Sequence, residues 1–351
     1  MRHATVRRHL AVVALAATAG LALTACASDD AADPATTAPG SAAGAFPVTI
    51  AHTFGETTIE QQPERVATVN WGNHDVPLAL GIVPVGFQET SYGDDDGDGI
   101  LPWTYAALEK LGATGDALPV LFDETDGIPF EQVANTEPDV VLAAYSGLTE
   151  EDYTTLSQIA PTVSYPRYAW GTSWKDMALT DGAALGLEDE AQGVVDDVLA
   201  QIDAALAERP DVAGKTVAFG WIDPADTSTV GIYTPLDARV QLLTDLGMVD
   251  APSVVALAGD TDQFYVNLSA ENADELADAD ILVFYGDDTT LAALQADPLI
   301  SKIPAVARGS VVVLPNSDPI SAATSGPTVL SVPYVLDDYL DLFQAAAEKV
   351  G

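Results

Sequence analysis

The sequence predicts an α/β protein of two lobes with mainly parallel sheets, joined by one long helix. Three observations carry this expectation. Apolar, β-branched runs of strand length recur between residues 65 and 315 and alternate with helix-like stretches, the pattern of strands buried on both faces. A single amphipathic stretch, residues 188–209, separates two groups of such runs. The hydrophobic fraction is 48% despite a formal net charge of −40, so residues 46–351 fit one large or two ordinary domains rather than an acidic disordered chain.

The chain opens on "MRHATVRRHLAVVALAATAGLALTA", residues 1–25, with Arg2, Arg7 and Arg8 ahead of an uncharged apolar run and small residues at its end. The run is shorter than the ~20 residues that a bilayer needs, which makes it a signal peptide and the chain an exported one. "LTAC" ends at Cys26, the single cysteine in the sequence, and resembles a lipobox whose cysteine is lipidated. Residues 27–45, "ASDDAADPATTAPGSAAGA", contain no large apolar side chain and read as a tether from the outer face of the cell membrane. Three of the 13 basic residues precede Cys26 and all 53 acidic residues follow it, leaving a mature charge of −43 that repels nucleic acid and anionic lipid.

The first group of runs is "RVATVN" (65–70), "IVPVGF" (82–87), "DVVLAAY" (139–145) and "TVSY" (162–165). The second is "TVAFGW" (216–221), "VGIYT" (230–234), "ILVFYG" (281–286) and "VVVLP" (311–315). Between them, "EDEAQGVVDDVLAQIDAALAER" starts on acids, repeats apolar residues at 194, 195, 198, 202 and 206, and stops at Pro210. At 1.5 Å per residue it makes a rod about 32 Å long. The expected division is a first lobe at 46–170, a connecting helical segment at 171–210 and a second lobe at 211–351.

Residues 46–87, "FPVTIAHTFGETTIEQQPERVATVNWGNHDVPLALGIVPVGF", resemble the helical-backbone class of substrate-binding proteins that serve iron-siderophore and cobalamin ABC importers. The resemblance continues through "FEQVANTEPDVVLAAY" (130–145), "LSQIAPTVSY" (156–165), "LLTDLGM" (242–248) and "SAENADELADADILVFYG" (269–286). It implies two Rossmann-like lobes of a class III binding protein, a monomer with no covalently bound cofactor, and a ligand held between the lobes with little hinge motion. Ligands of open α/β sheets sit outside the carboxyl ends of the strands. The resemblance also places Glu131 and Glu271 where relatives offer one carboxylate per lobe to arginines of the permease dimer; read alone, both are acids in the first turn of a helix.

Strand ends supply the candidate ligand contacts. "NWGNHDV" offers Trp71, Asn73 and His74, which either stack on and hydrogen-bond a ligand or pack and cap within their own lobe. Tyr145 ends a run, and "SYPRYAWGTSW" sets Arg167 among Tyr168 and Trp170, where a guanidinium meets oxygen donors and aromatics cover a chelate's carbon skeleton, or where the arginine stacks on a surface patch. Trp221, Tyr233, Arg239 and Tyr285 hold corresponding places in the second lobe.

"SYGDDDGDGILPW" is ambiguous. Asp94, Asp96, Asp98 and Gly99 fit the start of a calcium loop, but its twelfth position is Tyr105 rather than a bidentate glutamate, and Pro102 intrudes. The alternatives are a solvated acidic turn and a lip over the cleft carrying Tyr92 and Trp103.

Capture of a ferric siderophore for an ABC importer is the leading expectation, with hydroxamate or mixed types favoured because a triply charged catecholate complex wants more cations than this chain offers. Cobalamin and haem fit the same class. Only His52 and His74 follow Cys26, too few for a zinc or manganese carrier. An enzyme is disfavoured: the folded part has no cysteine nucleophile, G-x-S-x-G elbow or phosphate loop.

Overall fold

The computed structural model describes residues 46–223 and 226–350. The expected signal peptide, Cys26 and the expected tether lie outside the described residues. Among the described residues no helix is long and apolar enough to cross a membrane.

A hairpin of β1 (Val48–His52) and β2 (Gly55–Ile59) precedes the first sheet, its turn closed at Gly55, whose φ of 126° suits glycine. That sheet comprises β3 (Val66–Thr68), β4 (Gly86–Gln88), β5 (Val120–Phe122), β6 (Val140–Leu142) and β7 (Thr162–Val163), all parallel, in the order β5-β4-β3-β6-β7. Its central strands are apolar throughout because helices cover both faces: Val66, Ala67, Val140, Val141 and Leu142 have no exposed surface. Helix Trp174–Ala184 closes one face, with Ala184 and Leu185 packed on Val66, Val140, Leu142 and Val163.

The second sheet is mixed. It contains β8 (Thr216–Asp223), β9 (Asp226–Tyr233), β10 (Val249–Asp250), β11 (Tyr265–Ser269), β12 (Ile281–Gly286) and β13 (Val311–Pro315), in the order β11-β9-β8-β12-β13, with β10 also beside β8. Strands β8, β10, β12 and β13 pair in parallel, whereas β9 alone is reversed and pairs antiparallel with both β8 and β11. The reversal follows from chain length: two residues separate β8 from β9, and a parallel crossover needs a dozen or more. All eight predicted runs become strands, and β5, β10 and β11 join them.

The connecting helix spans Glu188–Ala207 and buries Ala191, Val195, Val198 and Ile202. Gly182 lets it approach helix Trp174–Ala184 closely, since a Cβ there would stand 2.3 Å from the Ala191 Cβ. The C-terminal helix, Ser331–Ala347, packs along the same rod through Val332, Val335, Tyr339 and Phe343. One apolar cluster therefore runs without a break from Val76, Trp103 and Ala144 of the first lobe to Val217, Phe219 and Val283 of the second.

Candidate functional site

The carboxyl end of β3 leads into a tight loop. Asn70 adopts φ 61°, which asparagine tolerates, and its amide and backbone N–H bond the Glu124 carboxylate. Asn73 then fastens this loop to the end of β6: its Nδ2 donates to the Val69 and Tyr145 carbonyls at 2.9 Å each, and its Oδ1 accepts from Tyr145 N–H at 3.0 Å. The effect is to bring two aromatic groups of the first lobe to the same edge. Trp71 meets Tyr92 edge-on at 5.9 Å, and Tyr145 meets Trp170 edge-on at 5.4 Å. Trp170 sits at φ 61°, a sparsely populated backbone for a bulky residue, held by its N–H on the Ser146 carbonyl and its ring against Gly147.

The second lobe faces them with a cation embedded in tyrosines. Asp237 caps helix Ala238–Asp245 and grips Arg239 with both oxygens, Nε at 2.8 Å and Nη2 at 2.9 Å. The guanidinium carbon lies 3.8 Å from the centroid of Tyr233. Phe219 lies 5.3 Å from both Tyr233 and Tyr285, and Trp221 continues this aromatic surface outward to Tyr265 at 6.4 Å. Helix Pro319–Ser325 closes the seam: Ser325 shares a 2.7 Å hydrogen bond with the Tyr285 hydroxyl and accepts from the Tyr145 hydroxyl at its carbonyl, 3.4 Å away.

Burial pushes the Tyr145, Tyr233 and Tyr285 phenols up, with Arg239 opposing, so all three remain neutral donors at neutral pH. Burial works against the Arg239 charge, but the Asp237 carboxylate overrides it and holds the guanidinium well above its usual range. Such a surface offers flat apolar faces, neutral hydroxyls and the N–H groups of a fixed guanidinium that Asp237 does not take, suited to an oxygen-rich chelate with a carbon skeleton.

The predicted site residues divide cleanly. Trp71, Tyr92, Tyr145, Trp170, Tyr233, Arg239 and Tyr285 converge on this seam, and Trp221 stands at its outer end, 36% exposed and two residues short of the end of β8. Arg167 is exposed and donates to the Tyr168 hydroxyl at 3.3 Å, with Tyr168 packed beside Gly171 near the Leu236 carbonyl. Asn73, His74 and Trp103 are instead interior. His74 stacks on Phe87 at 4.5 Å and burial lowers its pKa, against Asp75, so it is neutral; Trp103 donates its indole N–H to Asp75 at 2.8 Å. The side-chain polar groups of Asn73 and Trp103 are taken by Val69, Tyr145 and Asp75 within the fold, and Asn73 thereby holds the loops that carry Trp71 and Tyr145.

The acidic loop rests on helix Pro319–Ser325, where a Cβ on Gly93 would stand 2.2 Å from that of Ala322. This seats Tyr92 beside Ser321 and Ser325. The carboxylates that approach within 4.8 Å of one another are Asp94, Asp95 and Asp96 rather than the triplet with Asp98, and Asp94 turns both oxygens inward to the N–H groups of Asp96, Gly97 and Gly99. Tyr105 is already within helix Pro102–Lys110. Glu131 and Glu271 are both exposed in the first turns of Phe130–Asn135 and Ala270–Asp278.

Asp237, Ser325, Phe219 and Tyr265 escape the sequence reading. The pattern Asp237-x-Arg239 at a helix start is the one local signal that points to the first of them. A groove of about 720 Å³ between the connecting helix and helix Pro102–Lys110, lined by Leu78, Lys110, Val198 and Pro333, is larger than a typical side-chain gap but lacks the ion pair and tyrosine hydroxyls of the seam.

The sequence pattern of the periplasmic binding proteins matches residues 66–317. The crystal structure of Streptococcus pneumoniae TIGR4 PiaA in complex with ferrichrome superimposes with a TM-score of 0.82 and 44% identity, over 87% of this chain and all of that one. The ferric enterobactin-binding periplasmic protein FepB of Escherichia coli O6:H1 is 26% identical over 284 residues, 77% of this chain and 84% of FepB. The probable siderophore-binding lipoprotein YfiY of Bacillus subtilis is 25% identical over 240 residues, 68% of each chain.

Proposed function

The chain belongs to the periplasmic binding protein family, and on that premise we propose that it captures a ferric siderophore, of hydroxamate or mixed type, between its lobes and delivers it to an ABC importer permease. The observation that carries the proposal is the seam itself: Arg239, gripped by Asp237 and stacked on Tyr233, among neutral tyrosines and Trp71, Tyr92 and Trp170. Aromatic faces cover the chelate's carbon skeleton, and the guanidinium N–H groups not taken by Asp237 meet carbonyl or hydroxamate oxygens of the iron shell. The likeness to the ferrichrome-bound PiaA supports the hydroxamate preference.

In this reading the protein is a carrier rather than an enzyme, in keeping with a family of binding proteins. Cys26 is the lipid attachment point on the outer face of the membrane, and Glu131 and Glu271 are the two docking carboxylates for the permease.

A tryptophan-fluorescence titration of the purified protein tests the proposal. Ferrichrome, a ferric catecholate, ferric dicitrate, haem and cobalamin are compared, with calcium as a separate arm and inner-filter absorbance corrected. Saturable quenching at submicromolar ferrichrome is the expected result. A response to haem, cobalamin or calcium alone overturns the siderophore assignment.

A further inference from the structure

We infer that Asp237 is a specificity-determining residue that selects chelates by charge: by neutralising Arg239 inside the seam, it makes the site a receptor for complexes with no net charge. The inference rests on the siderophore reading and refines it. Asp237 has no exposed surface and Arg239 is only 13% exposed, so water does little to screen the pair from a ligand in the seam. Both carboxylate oxygens are engaged, one on Nε and one on Nη2, while the face of the guanidinium lies on Tyr233. One positive and one negative charge are thus fixed at one point, and the hydroxyls around them are neutral.

Stacking on a tyrosine face is by itself an attractive contact for an arginine. The carboxylate adds something stacking does not: it removes the monopole while leaving N–H directions. An arginine freed of its counter-ion attracts an anion by an amount set by unit charges a few ångströms apart in a partly buried site, enough for about tenfold or more in affinity even at an effective dielectric near 20. With Asp237 in place that attraction is cancelled, and a ferric trihydroxamate, whose three monoanionic arms balance the Fe(III) charge, gains on any complex left with negative charge.

The test is the ratio of two affinities, not either alone. Asp237→Asn keeps a helix-capping oxygen and the side-chain shape but removes the charge. Ferrichrome and ferric dicitrate serve as the neutral and anionic probes in titrations of the purified protein. The variant is expected to bind ferric dicitrate about tenfold or more tighter relative to ferrichrome than the wild type does. The double variant Asp237→Asn, Arg239→Gln, again without net charge at this point, is expected to return the ratio toward the wild-type value although both affinities fall. If Asp237 only positions the arginine, Asp237→Asn weakens both chelates by the same factor, and an unchanged ratio overturns the inference while leaving the siderophore reading intact. A wild-type protein that binds neither probe overturns both. Circular dichroism and thermal unfolding of each variant identify loss of fold, in which case the double variant's ratio decides.

Discussion

Thr328 donates a 2.6 Å hydrogen bond to the buried carboxylate of Asp75, a residue 253 positions away. Asp75 also accepts from the Trp103 indole at 2.8 Å and from Thr104 at 2.7 Å, so two donors of helix Pro102–Lys110 and one from the segment ahead of helix Ser331–Ala347 share one carboxylate. Thr328→Val removes the tie, along with the acceptor for Leu330 and Ser331 N–H, and is expected to cost about 1–3 kcal/mol. Denaturant unfolding measures it; an unchanged midpoint excludes the bond as a clamp between the lobes.

Arg239→Lys retains the charge but not the planar fork that matches Asp237 and lies flat on Tyr233. Ferrichrome affinity is expected to fall by about tenfold, close to the effect of Arg239→Gln, because geometry is lost in both. A lysine variant that binds like the wild type removes Arg239 from the contact set.

Five tryptophans allow the quenching signal to be traced. Trp103 and Trp174 are buried, the latter with its indole N–H on Asp245, whereas Trp71 and Trp170 stand at the seam. Trp71→Phe and Trp170→Phe are expected to reduce the direct, short-range part of the quench, and Trp103→Phe to leave it in place. Equal losses from all three place the ligand elsewhere.

Glu131→Ala and Glu271→Ala, singly and together, are expected to leave chelate affinity unchanged and to lower siderophore-dependent uptake by cells, most in the double variant. Their exposure at two first turns makes them removable without unfolding. Full uptake by the double variant ends the docking assignment.

Asp181 lies buried in helix Trp174–Ala184 with neither carboxylate oxygen hydrogen-bonded, and burial pushes its pKa well above the ordinary range. In the unfolded chain it titrates at about 3.9, so above that pH the folded protein holds a proton that the unfolded chain releases. Its contribution to stability therefore falls as pH rises from about 4 until the folded group itself ionises. Asp181→Leu is expected to gain more stability, relative to wild type, at pH 7 than at pH 4. Unfolding at the two pH values gives the sign, and an equal gain at both refutes the neutral buried acid.

The strands were readable because their signal is continuous: "VVLAAY" or "ILVFY" admits few alternatives to a buried strand. Strand β5 was not, because it is three residues long and leaves Val120 48% exposed, and β11 is an outer strand with three exposed residues, Val266 part-buried and only Leu268 in the core. Aromatic residues at strand ends led to much of the seam. What local sequence does not reveal is which polar neighbours turn inward. Asn73 and Trp103 are fixed by Tyr145 and Asp75, partners 72 and 28 positions distant. Asp237 was hidden for the opposite reason, since in a chain with 53 acidic residues one more aspartate carries no information until its arginine is seen in its grip.

The unbroken apolar cluster from Trp103 through Phe219 to Val283 has a kinetic consequence. Under the proposed function, a core shared by both lobes resists being pulled apart, so the expectation is that cargo enters without a swinging door and that the empty receptor already has its loaded outline. Arrival is then governed by diffusion and orientation, and differences in dwell time arise at the departure step, from the contacts themselves. On the same proposal, unloading falls to whatever grips the outside of the two lobes, which must strain that common core to loosen the seam.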